Sequence, residues 1–215
     1  MISVSNVSKY YGTVKVLSDC STRVEKAEVI VICGPSGSGK STLIKCINGL
    51  ERFHAGEIVV NGVSVGARKT DLPKLRSQIG MVFQHFELFL HRTVLDNLTL
   101  AQTKVLGRTK KVAAENAERL LDRVGVREHA LKYPGQLSGG QQQRVAIARA
   151  LVGEPTLVLA DEPTANLDSR TGQEVIDLMH RLNRERGTTF VFSTHDPRIM
   201  AAADRVLEIS DGRLR

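Results

Sequence analysis

Several side chains in this sequence are of the types that handle phosphate and water, and their spacing groups them. Lys40 and Ser41 sit near the end of the run Gly34-Pro35-Ser36-Gly37-Ser38-Gly39-Lys40-Ser41-Thr42. Glycines there let successive backbone N–H groups turn inward, a following helix start adds partial positive charge, Lys40 supplies a point charge, and Ser41 offers a hydroxyl for Mg²⁺. This pattern predicts a cradle for a nucleoside triphosphate. Asp161 and Glu162 stand side by side after an apolar run, where two carboxylates are costly unless they hold a cation or water. Asp161 is expected to serve Mg²⁺, leaving Glu162 to polarise an attacking water. Gln84 and His195 each follow another apolar run, and Ser138-Gly139-Gly140 repeats the phosphate pattern in small: a hydroxyl, bare amides and a helix start. From these residues alone, the Ser-Gly-Gly step is equally a plain helix cap.

The elements that must position these groups follow from periodicity. Val29 to Cys33, Ile79 to Phe83, Thr156 to Ala160 and Thr189 to Ser193 are short apolar runs of the buried parallel-strand type, and each delivers a polar residue at its carboxyl end. Leu43 to Leu50, Leu72 to Gln78, Val145 to Leu151, Arg170 to Glu185 and Ile199 to Ala203 are expected helices, and Val206 to Ile209 a closing strand. Ile2 to Val7 and Val16 to Val24 suit an antiparallel edge sheet, with a turn at Tyr10-Tyr11-Gly12. Glu57 to Val60 and Val63 to Val65 form a hairpin about Asn61-Gly62. Val94 to Val124 changes to helical periodicity without a strand signal, so residues 88 to 136 are expected to be a helical subdomain inserted between 1–87 and 137–215. A tyrosine near the site could stack on a purine or simply pack on the sheet.

With 215 residues, 41% apolar and 25% charged, the chain has the composition of a folded globular protein. No apolar run approaches a membrane span and the N-terminus has no signal-peptide pattern, so a cytosolic location is expected. Cys20, Cys33 and Cys46 show no metal spacing and are expected as small core residues. The charge of +7 could suit nucleic acid or an anionic membrane face. Basic residues are dispersed and Trp is absent, which favours a solvated basic surface.

Leu137-Ser138-Gly139-Gly140-Gln141, together with the phosphate loop, Gln84, Asp161-Glu162, Asn166-Leu167-Asp168 and His195 in this order, resembles the ATP-binding subunit of ATP-binding-cassette (ABC) transporters over essentially the whole chain. The resemblance implies an α/β fold of the P-loop type, with a mainly parallel central sheet, an N-terminal antiparallel β subdomain and an inserted helical subdomain. It implies ATP and Mg²⁺ as ligands and an ATPase. Tyr11, in Lys9-Tyr10-Tyr11-Gly12, corresponds to the aromatic that stacks on adenine. Gln84 corresponds to the residue that touches Mg²⁺ or the attacking water and senses the membrane partner, and His195 to the one that contacts the γ-phosphate. The family pattern also implies a head-to-tail homodimer in which Ser138, Gly139 and Gly140 close over ATP held by the other copy's Lys40 and Ser41, with Asp168 coupling the sites. Two membrane permease subunits, and a substrate-binding protein acting indirectly, would complete an importer on the cytoplasmic face of the inner membrane.

Residues 1 to about 150, including Met81 to Phe89 and Thr93 to Asn97, resemble importers of polar amino acids of the glutamate/aspartate or glutamine type. Residues from about 152, including Leu157 to Asp168 and Phe192 to Pro197, resemble the lipoprotein-release and macrolide-export branch. A chimera joined within Gln141 to Leu151 would account for the difference. Export ATPase, nucleic-acid-associated ATPase and an engineered scaffold that binds ATP without coupled transport are the alternatives. Paired cassettes or a coiled-coil insertion, which nucleic-acid-associated members usually carry, are absent from the sequence. Ala27 stands where the family usually has Gly, and Leu90 and Arg92 replace an expected Pro and an apolar residue.

Overall fold

A computed structural model describes residues 1–165 and 167–215. In chain order it runs β1 (Ile2–Tyr11), β2 (Val14–Val24), β3 (Val29–Cys33), α1 (Lys40–Ile47), β4 (Ala55–Val60), β5 (Val63–Ser64), α2 (Leu72–Arg76) and β6 (Ile79–Val82). Then come α3 (Val94–Lys104), α4 (Lys110–Arg123), two short 3₁₀ turns, α5 (Gly139–Leu151), β7 (Leu157–Asp161), α6 (Ser169–Arg186), β8 (Thr189–Ser193), α7 (Pro197–Ala201), β9 (Arg205–Ser210) and β10 (Arg213–Leu214).

The strands form two sheets. An antiparallel sheet has the order β2-β1-β4-β5, and a six-stranded sheet has the order β10-β9-β3-β8-β7-β6, parallel except where β10 turns back on β9. The residues of β6, β7 and β8 are all buried, as expected of strands covered on both faces. One face of the parallel sheet carries Val31, Val158 and Phe190 into a core with α3 to α7; the other carries Ile30, Leu159 and Val191 into a core with α1 and the antiparallel sheet. Each such buried aliphatic side chain contributes roughly 1.5–3 kcal/mol. Ser193 is in register with both Ile32 and Asp161, so the carboxyl ends of β3, β8 and β7 finish level. Gly34, Thr194-His195 and Asp161-Glu162 therefore emerge along one edge, the usual ligand edge of an open α/β sheet.

Local chemistry sets the helix ends. Thr93 and Thr109 cap α3 and α4, and Asp168 accepts the Arg170 and Thr171 amides at the start of α6, which ends at Gly187 in the left-handed region. The apolar periodicity of Val94 to Val124 divides into α3 and α4 at a turn containing Gly107. The Asn61-Gly62 hairpin has both residues at positive φ, 52° and 79°, as a type I′ turn requires. Tyr10 and Tyr11 do not form the expected turn: they finish β1, and the chain reverses at Gly12-Thr13, because β1 keeps its pairing with β2 as far as Tyr11↔Val14. Cys20 and Cys46 are buried, while Cys33 is half-buried at the end of β3. Among the described residues no helix is long and apolar enough to cross a membrane.

Candidate nucleotide site

The loop leaving β3 is shaped by close approach. Gly34 has φ +146°, and a Cβ there would lie 2.1 Å from the Ile209 carbonyl oxygen of β9; Gly39 has φ +107°, with Val16 O and Leu17 Cδ2 each 2.9 Å from where a Cβ would be. Side chains at these two positions would push the loop off the sheet. Gly39 is also the N-cap of α1 and offers no side-chain cap, leaving the first-turn amides of α1 available to an anion. Pro35, Ser36 and Gly37 are exposed, whereas Ser38, Gly39 and Lys40 are buried. The Lys40 ammonium donates to the carbonyls of Gly34 (2.8 Å) and Pro35 (3.0 Å), curling the loop around it. Ser38 Oγ is buried without a hydrogen-bond partner among the described residues.

Ser41 Oγ donates to Asp161 Oδ1 at 2.8 Å, joining the start of α1 to the end of β7. Asp161 is 5% exposed, so its carboxylate gains from a cation on the neighbouring hydroxyl. An uncapped helix start, a buried orphan hydroxyl and a hydroxyl–carboxylate pair together fit a triphosphate with its Mg²⁺.

Glu162 turns the other way. Its backbone has φ 46°, unusual for a side chain larger than Asn, and its N–H donates to Ser193 O across to β8. Thr194 Oγ1 donates to Glu162 Oε2 at 3.2 Å, and His195 Nδ1 lies 3.2 Å from Oε1. Glu162 is thus oriented by two neighbours, while the His195 side chain is 78% exposed. Behind them Thr164 Oγ1 donates to Asp196 Oδ2 at 3.0 Å, and the Arg198 guanidinium grips Asp196 while donating to Ser169 O. Arg198 holds the Asp196 carboxyl down at about 2. Thr164, Thr194 and Arg198 carry no motif spacing of their own; Thr164 and Thr194 follow the carboxyl ends of β7 and β8, and Arg198 lies in the first turn of α7.

Tyr11 lies at the end of β1, 44% exposed, and burial pushes its phenol up. Gln84 is exposed, two residues after β6. The loop beyond it is fastened by Arg149 of α5, whose guanidinium donates to the Phe86 and Glu87 carbonyls. Ser138 caps α5 in a full capping box: Gln141 N–H donates to Ser138 Oγ, and Ser138 N–H to Gln141 Oε1. Ser138 and Gly139 are exposed, Gly140 packs against Thr171, and Asp168 is exposed. One chain therefore gathers Lys40, Ser41, Asp161, Glu162 and His195 along the strand edge and keeps the hydrogen bonds of Ser138 within its own cap. Asn166 lies outside the described residues.

The ABC transporter family model matches residues 17–165, more than half of the chain. The chain belongs to that family. The glutamate/aspartate import ATP-binding protein GltL of Escherichia coli K12 is 57% identical over 215 residues, covering all of this chain and 89% of that protein. The glutamine transport ATP-binding protein GlnQ of Bacillus subtilis 168 is 49% identical, covering 100% and 88%. A dimeric ATP-binding cassette solved in a post-hydrolysis state with ADP and Pi matches with a TM-score of 0.93 at 35% identity, covering 100% of this chain and 97% of that one. The fold is that of the ABC ATPase, with the α/β architecture expected from the sequence.

Proposed function

We propose that this ABC cassette hydrolyses ATP to drive import of an acidic or amide amino acid through membrane subunits. The observation that carries the solute class is the 57% identity over the whole chain to a glutamate/aspartate import ATP-binding protein. In this reading Lys40 and the first amides of α1 bind the phosphates, and Tyr11 meets the adenine. Ser41, Asp161 and Gln84 hold Mg²⁺, which when bound neutralises phosphate charge. Glu162, held by Thr194 and His195, takes the proton of the attacking water. His195, being exposed, is placed to reach the outer phosphate.

Ser138 and Gly139 are exposed at a helix start, with Gly140 next in the chain, which supports the closing of this step over ATP bound by a second copy in a head-to-tail dimer. Asp168, at the start of α6, would couple the two sites. Two permease subunits would dock at the cytoplasmic membrane face. An apolar groove of about 470 Å³ lined by Phe83, Phe89, Val105, Leu106 and Arg149 supports this placement, beside the Gln84 loop and the exposed Leu90. Co-purification with a glutamate/aspartate-type permease, and not with a lipoprotein-release permease, is the expected result; the reverse preference would assign the export branch. The chimera reading is tested by comparing residues 1–150 and 152–215 separately with both branches, and one common nearest branch for the two parts would remove it.

A further inference from the structure

Tyr11 is braced by neighbours on β1 and on the segment that follows α1. Lys9, two residues earlier on β1, is only 6% exposed. A lysine at a strand end ordinarily runs its ammonium out to water, and burying the charge is costly unless it is paired. Here the ammonium lies 3.0 Å from Glu51 Oε2 and 4.6 Å from the centroid of the Tyr11 ring. Glu51 belongs to the segment that leaves α1 and leads into β4. Three residues on, His54 N–H donates to Ser8 O at 2.8 Å and His54 Nδ1 accepts the Tyr10 N–H at 3.2 Å, with the two rings edge to face at 5.5 Å. The end of β1 is thus fastened to the exit of the helix whose entrance is the phosphate loop.

A stacking ring works when one face is free and its tilt is fixed beforehand, because ordering it on binding would cost affinity. A cation held over one face by ring attraction and an ion pair supplies that constraint, leaving the other face open. We propose that Lys9, with Glu51 and His54, is a positioning device that sets the tilt of Tyr11 and its distance from the phosphate loop, so that it governs the affinity contributed by the base. The proposal rests on Tyr11 being the residue that meets the base.

Calorimetric titration of the full chain with ATP and with inorganic tripolyphosphate, which has phosphates but no base, separates the two ideas. Lys9→Met and Glu51→Gln should each raise the Kd for ATP about five- to tenfold. Tripolyphosphate binding should stay at the wild-type level, and Lys9→Met should cost nothing further in a Tyr11→Ala background. Wild-type ATP affinity in Lys9→Met while Tyr11→Ala is weakened would overturn the positioning role alone. Equal weakening of both ligands would also overturn it, by making Lys9 a support of the fold. Wild-type affinity in Tyr11→Ala would overturn the base contact itself, and the device with it.

Discussion

At Glu162 the chain spends backbone strain and two neighbouring side chains to aim one carboxylate. Glu162→Gln removes the base while keeping the shape, so it should bind ATP with near wild-type affinity, accumulate as a dimer and lose turnover by about 10²-fold or more. Full activity in that variant would remove the assignment. Asp196 is held with Thr164 and Arg198 behind this site, its carboxyl at about 2 rather than the ordinary 3.8. Because the folded state favours the carboxylate, the contribution is fully present above the ordinary value and is lost as pH falls through about 2. Asp196→Asn should therefore destabilise the protein near neutrality, by about 1–3 kcal/mol for a charged hydrogen bond, and flatten the acid limb of its stability profile. Denaturant titrations across pH would show this; an unchanged acid limb would count against it. Ala27, where the family usually has Gly, sits at φ 63°. Ala27→Gly should raise stability by about 0.5–1 kcal/mol, since an L side chain in the left-handed region is strained by more than the glycine entropy cost.

Among the elements, α5 carries two roles at one end. The capping box makes Ser138 worth about 1 kcal/mol to the helix, so Ser138→Ala should lower the melting point modestly. If Ser138 also closes a partner's site, turnover should fall at least about tenfold, well beyond that stability loss. The order of α and β elements was legible because buried parallel strands read as apolar runs ended by polar residues, and the Asn61-Gly62 turn has one favoured geometry. The separation of α3 from α4 was not legible, since both keep the same apolar periodicity and Gly107 alone is a weak signal. Nor was the extension of β1 through Tyr10 and Tyr11, where cross-strand pairing overrides the turn tendency of the following glycine. At the site, Lys40, Ser41, Asp161, Glu162 and His195 carry motif spacing. Lys9, Glu51, His54, Thr164 and Arg198 act through contacts between distant segments, which linear spacing does not encode.

Across the whole molecule, the parts before and after about residue 150 meet in a continuous core, where Leu121, Val145 and Ile147 pack with Val175, Leu178 and Met179. Ion pairs also cross that boundary: Arg119 with Glu154, Arg123 with Glu185, and Arg144 with Glu174. Exposed pairs of this kind contribute about 0–1 kcal/mol each, so the apolar core holds the parts together. Raising salt from about 0.1 M to 1 M should accordingly change the unfolding free energy by less than roughly 1 kcal/mol; a larger loss would show that the charges hold the boundary. In the proposed reading the site is completed by a second copy: Ser138 keeps its cap hydrogen bonds within α5, while the strand edge gathers Lys40, Ser41, Asp161, Glu162 and His195. ATPase activity measured against protein concentration, with the oligomeric state followed in parallel, tests this most directly. Turnover per subunit should rise with concentration as the dimer forms, and concentration-independent turnover by a demonstrated monomer would contradict the shared site.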